Sequence, residues 1–178
     1  KPAADAKRVQ EIVAGRCSLC HGMQGESASP VFPRLAAQHP EYMAKQLKDF
    51  RDGRRKGTMT EMAADLKDEE INGLANYFGA KPSKARRPSD ADLAGIGKYI
   101  YEKGNKYTGV AACASCHGAK AYGTVQLPRL AGQNVQYLET QLKEFNQRAR
   151  TNDNAVMHSI ASKLTELETV AVSSYIAG

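Results

Sequence analysis

All four cysteines of the chain stand in two identical settings, Cys17-Ser-Leu-Cys20-His21 and Cys113-Ala-Ser-Cys116-His117. Two thiols one helical turn apart can each add to a vinyl group of one porphyrin while the adjoining imidazole reaches the iron from the same face, so this is the spacing of c-type haem attachment. A single zinc shared by four thiolates would leave the two histidines without a purpose. A thioredoxin-like pair would need a βαβ setting that the sequence does not offer, and a disulfide across two residues closes too short a loop to stabilise much. The expectation is therefore two covalently attached haem c groups.

Whether such an iron carries electrons or does chemistry depends on its other axial position, filled or open. The chain answers by repeating itself. FPRLAAQHPEYMAKQLKDF (32–50) returns as LPRLAGQNVQYLETQLKEF (127–145) at an offset of 95, the CxxCH motifs lie 96 apart, and Leu66 and Tyr77 match Leu164 and Tyr175 at 98. Setting MTEMAADL (59–66) against MHSIASKL (157–164) pairs Met59 with Met157 but Met62 with Ile160. Only the first pair keeps a thioether, so Met59 and Met157 are the expected partners of His21 and His117 on the two irons, and Met62 is a packing residue. His39 faces Asn134 and His158 faces Thr60, so neither is a repeated ligand. Met23 and Met43 have no methionine counterpart and read as packing.

Second-layer roles follow from the same pairing. A ligating imidazole donates its other N–H to a fixed acceptor, and Pro33 and Pro128, which lie 12 and 11 residues after the two histidines, offer carbonyls in loops. Arg34 and Arg129 are placed to pair with haem propionates, with Gln38, Gln133, Tyr42 and Tyr137 as further donors.

Helices must carry these groups. Apolar spacing gives a first helix in each half, with Val9, Ile12 and Val13 facing inward in one and Leu93, Ile96 and Ile100 in the other. After each CxxCH comes a helix with Met43, Leu47 and Phe50, or Leu138, Leu142 and Phe145, and then a last helix ending in NYFGA or SYIAG. Ser89 before DADL fits an N-cap, and Thr165 with Glu168 fits a capping box that Lys67 breaks in the first half. Strand signals are weak throughout, so the reading is all-α. It places two small domains at residues 1–80 and 91–178, with GAKPSKARRPSD marking a linker at 81–90. Helical domains of this size, without Trp, bury little side-chain core and need a prosthetic group at their centre.

Charge and composition exclude other classes. The net charge of +6 is not spread evenly, since residues 1–80 carry 12 basic and 11 acidic side chains and 91–178 carry 9 and 7. The excess sits in the linker, where no aromatic residue interleaves with the lysines and arginines, so no nucleic-acid partner is expected. With 42% hydrophobic residues and a mean hydropathy of -0.52, no window could span a bilayer. The chain opens on Lys1 with no export signal, so a processed or trimmed N-terminus is expected and export is inferred from haem chemistry.

Paired CxxCHG, PRLAGQ, Tyr-x-x-x-Gln-Leu-x-x-Phe and Met-x-x-x-Ala-x-x-Leu before a helix ending in SYI resemble the cytochrome c4 family over nearly the whole chain. The resemblance implies two cytochrome c domains related by a pseudo-twofold axis, His/Met ligation at both irons and propionates near the domain interface. It also implies periplasmic, respiratory electron transport rather than catalysis, with no small-molecule substrate. Redox protein partners are expected: a quinol-oxidising complex, a terminal oxidase, or a sulfur-compound dehydrogenase acting on thiosulfate or sulfide, for which the chain would be the electron-accepting subunit. Peripheral membrane association is among the expectations. A dihaem enzyme with one open or differently ligated iron is the rival reading, and it is opposed by the use of every cysteine in attachment. The first half departs from the family pattern in LAAQ for LAGQ and in the tight RDGRRKGTM approach to Met59.

Overall fold

A computed structural model describes residues 2–84 and 90–178. It divides the chain into two compact units, Lys1–Ser83 and Lys84–Gly178. The proposed linker spans this division, and its residues 85–89 lie outside the described residues, Ser89 among them.

The first unit contains α1 (Ala6–Ile12), α2 (Ser18–His21), α3 (Pro40–Arg51), α4 (Thr58–Ala63) and α5 (Asp68–Gly79). The second contains α6 (Ala91–Lys103), α7 (Ala114–His117), α8 (Val135–Asn146), α9 (Val156–Ala161) and α10 (Glu166–Ala177). Among the described residues the β pairing is a single isolated bridge, Asn105 with Val110.

Each core is where its terminal helices meet. In the first, Val9, Ile12 and Val13 pack with Ile71, Leu74 and Phe78; in the second, Ile100 and Tyr101 pack with Val172 and Ile176. The crossing needs a small residue on one side, and the two units put it on opposite helices. A Cβ added to Gly73 of α5 would stand 2.6 Å from Cγ2 of Val9, whereas one added to Gly97 of α6 would stand 1.9 Å from the carbonyl oxygen of Ala171. With Val9 matched to Gly97 and Gly73 to Ala171, bulk on one helix is exchanged for bulk on its partner.

Three local expectations change. The inward face of α6 is Ala94, Gly97, Ile100 and Tyr101, and Ile96 is 46% exposed; the sequence pattern i, i+3, i+4 was satisfied equally well with the small residues left out. The cap of α6 is Asp90, whose carboxylate accepts from Leu93 N at 2.9 Å. In the box that Lys67 was expected to break, Lys67 indeed supplies no acceptor, yet Glu70 still reaches back to Lys67 N at 2.9 Å. Glu168 does the same for Thr165 N at 2.9 Å, and Thr165 Oγ1 completes the box by accepting from Glu168 N.

Candidate haem-binding sites

The two units deliver CxxCH by different routes. In the first, α1 loosens into a π-helical stretch, Val13–Cys17, that runs straight into α2. In the second, α6 stops at Gly104, a loop follows, and α7 starts at Ala114. Both short helices end on a glycine in a conformation that side chains rarely adopt, Gly22 at φ 79, ψ 159 and Gly118 at φ 89, ψ 162, which is why the motif is followed by Gly.

The chain then folds back over each histidine by the same hydrogen bonds. Leu35 N and Ala36 N donate to Gly25 O, and Leu130 N and Ala131 N to Ala121 O, at 2.9 to 3.1 Å. Ser27 N and Gly123 N close the turn on the carbonyls of His21 and His117. Held this way, the carbonyl of Pro33 lies 2.9 Å from His21 Nδ1 and that of Pro128 lies 3.3 Å from His117 Nδ1. With Nδ1–H donating to the carbonyl, the free lone pair belongs to Nε2, the atom an iron would need. Both rings are buried, and burial lowers their pKa values against the smaller opposing effect of the proline carbonyls, which favours the neutral ligating form.

Burial pushes Cys17 and Cys113 up to about 11, opposite to the lowered values that make a CxxC pair reactive. All four cysteines are unbridged. Among the described residues no three His, Cys, Asp or Glu side chains gather as a metal cluster.

Met59 lies in α4 and Met157 in α9, both half-buried. Their helices start differently. Gly57, at φ 158, precedes α4, and its N–H donates to Thr60 Oγ1 at 3.2 Å. Before α9, Asn154 and Ala155 take φ 61 and 66, and Asp153 holds the turn by accepting from Met157 N at 2.7 Å and Ala155 N at 3.2 Å. Arg16, next to Cys17, donates to Met62 O at 3.0 Å and pairs with Asp65 at 2.6 Å, tying the methionine helix to the motif in the first unit. His158 Nδ1 lies 3.0 Å from Phe145 O, and His39 is the residue before α3. Met43 is buried as expected of packing, whereas Met23 is 44% exposed and contributes its carbonyl, which Tyr77 Oη bonds at 2.7 Å.

The other expected polar groups also have places. The side-chain oxygens of Gln38 and Gln133 accept from the next residue's N–H at 3.0 and 2.9 Å, just before α3 and α8. Arg129 donates to Ala131 O at 3.3 Å and lies over the ring of Tyr122. Arg34, Tyr42 and Tyr137 are half-buried.

Sequence reasoning passed over Arg55 and Arg150. Each is buried, at 9% and 6% exposure. Each donates to a glutamine one element away, Gln46 at 2.9 Å and Gln141 at 2.8 Å, and stacks 4.5 Å over Phe50 or Phe145. The three pairs share the offset of 95, so the signal was present. It also confines the insertion before Met157 to the residues after Arg150.

A family model described as cytochrome c oxidase, cbb3-type, subunit III matches residues 4–78, and one described as cytochrome c matches residues 97–178. Two helical units, each with a buried CxxCH histidine held by a proline carbonyl, thus define a dihaem c-type cytochrome. Cytochrome c4 of Thiocapsa roseopersicina is 42% identical over 92% of this chain and 87% of its own. The crystal structure of reduced recombinant cytochrome c4 from Pseudomonas stutzeri superposes with a TM-score of 0.92 at 35% identity, covering 99% of both chains. The thiosulfate dehydrogenase electron acceptor of Thiomonas intermedia is 34% identical over 92% of this chain and 78% of its own. The chain belongs to the cytochrome c4 family, electron carriers with two covalently bound haem c groups.

Proposed function

We propose that both haems are ligated by histidine and methionine and that the chain is a carrier with no catalysis of its own. Cys17, Cys20 and His21 hold one group with Met59, and Cys113, Cys116 and His117 hold the other with Met157. When bound, the haem iron supplies one-electron exchange between its ferric and ferrous states. The protein's part is to fix the imidazole through Pro33 or Pro128 and to set a thioether against the iron, so that no position is left for a substrate. The observation that carries this reading is the repetition of the histidine–proline contact in both units. Low-temperature electron paramagnetic resonance of the ferric protein tests it: two low-spin signals are expected, and a high-spin signal from either haem contradicts it.

The partners are redox proteins. A quinol-oxidising complex as donor and a terminal oxidase as acceptor fit a respiratory carrier. The relatives named thiosulfate dehydrogenase electron acceptor, in Thiomonas intermedia and Stutzerimonas stutzeri, favour a second reading in which a sulfur-compound dehydrogenase is the donor. Periplasmic placement follows from covalent haem c, and among the described residues no helix is long and apolar enough to cross a membrane.

A further inference from the structure

The two methionine helices are held from opposite ends. In the second unit Asp153 grips α9 from ahead of Met157, accepting from Met157 N at 2.7 Å. In the first unit a grip falls behind Met59, and it comes from Arg16, the residue before Cys17. Nη1 of Arg16 donates to Met62 O at 3.0 Å and to Asp65 Oδ1 at 2.6 Å, and Nη2 donates to Asp65 Oδ2 at 3.3 Å. The guanidinium thus takes a carboxylate with both arms and a backbone carbonyl with one of them.

The carbonyl is the functional contact. It lies in the last turn of α4, where carbonyls have passed the helix's own N–H groups and need a donor from elsewhere. With six residues, Thr58–Ala63, α4 is too short to stay wound without outside support. Arg51 of α3 braces the chain just beyond it, donating to Leu66 O at 3.1 Å and to Asp68 at 2.7 Å. Arg16 instead ties α4 to the attachment motif itself, since Cys17 is fixed to the porphyrin once the thioether has formed. Exposed ion pairs usually contribute little, but two-armed arginine–carboxylate pairs are the exception.

Both members of the pair are replaced in the second unit. Ala112 precedes Cys113 where Arg16 precedes Cys17, and Lys163 stands at the position of Asp65. The unit that grips its methionine helix through Asp153 has given up the brace on the other side.

We propose that Arg16 is a positioning residue for Met59: together with Asp65 it locks the end of α4 to the attachment motif, and so keeps the thioether in place as the ligand of the first haem. The inference rests on the histidine–methionine reading above and gives the two haems separate devices for holding the same ligand.

Imidazole titration of the ferric holoprotein in a Met157→Leu background tests it, because the methionine–iron charge-transfer band that remains there belongs to Met59. Asp65→Asn, which leaves the attachment motif untouched, and Arg16→Gln should each let imidazole displace Met59 at about five-fold lower concentration. Arg16→Lys keeps the charge but loses the fork, and should fall between them and the parent. Arg8→Gln breaks another ion pair of the first unit, Arg8 with Glu70 at 2.8 Å, and should leave the displacement within about two-fold of the parent. In a Met59→Leu background, Asp65→Asn should leave displacement of Met157 within about two-fold as well. The proposal is overturned if Asp65→Asn and Arg16→Gln bind imidazole as the parent does, if Arg8→Gln matches them, or if Met157 responds as Met59 does. A Met157→Leu protein without any methionine–iron band contradicts Met59 as a ligand, and with it the reading on which the brace depends; a band that is present but indifferent to Asp65→Asn and Arg16→Gln sinks the brace and spares the ligand.

Discussion

The two units hold their histidines alike and their methionines differently. Over His21 and His117 the same backbone bonds bring the same proline carbonyl to Nδ1. Ahead of Met59, by contrast, a glycine and a threonine suffice, while ahead of Met157 a longer loop with two left-handed residues depends on Asp153. The interior follows the same rule, since Val9 against Gly73 becomes Gly97 against Ala171. What duplication has kept is the histidine with its proline carbonyl and the backbone bonds that bring them together. What has drifted is the chain that delivers them, wherever a compensating change lies across a helix crossing or within one loop.

The helix crossing offers the largest effects. Gly97→Ala drives a methyl into the backbone of α10 and should cost the second unit about 3 kcal/mol in chemical denaturation. Gly73→Ala meets only a side-chain methyl and should cost about 1 kcal/mol, recovered in part by Val9→Ala. Equal costs at the two glycines would break the idea of exchanged bulk.

The methionine loops come next. Asp153→Ala removes the acceptor for Met157 N and should strengthen binding of added imidazole at one haem about ten-fold, with partial loss of the ferric methionine–iron band. Thr60→Ala should change both much less. An identical response would make the two loops equivalent despite their geometry.

The caps sharpen the comparison more finely. Glu70 and Glu168 are both held below the ordinary carboxylate range, first by the backbone N–H of Lys67 or Thr165 and then by Arg8 for Glu70 and Asn105 for Glu168. A carboxylate depressed in the fold stabilises it above its unfolded pKa of about 4.3, and that contribution disappears as pH falls through the folded value. Glu70→Gln and Glu168→Gln should therefore each lose about 1 kcal/mol at pH 7, and their melting temperatures should converge on wild type below pH of about 4. A deficit that persisted in acid would assign the effect to packing.

Much of this was legible in the sequence because it repeats in register. CxxCH and the proline eleven or twelve residues on rest on offsets that one chain supplies twice, and the choice of Met59 over Met62 is an expectation built on the same register. Ile96 was misplaced because hydrophobic spacing ignores glycine and alanine, yet Gly97 and Ala94 are the residues that let α6 approach α10. Arg55 and Arg150 escaped notice because a buried arginine looks like a surface one until the glutamine nine residues before it and the phenylalanine between them are seen around it. The π-helical stretch and the loop 104–110 leave no periodic signal, being the places where the halves stop matching.

Met62 remains the smallest test of that register. Met62→Leu conserves volume and should change stability by less than about 1.5 kcal/mol. The direct test of the central claim is the long-wavelength methionine–iron charge-transfer band of the ferric protein, measured in Met59→Leu, Met157→Leu and Met62→Leu. Loss of half the band in each of the first two and full retention in the third is the predicted result; loss of the band in Met62→Leu, or its survival intact in either of the others, would contradict it.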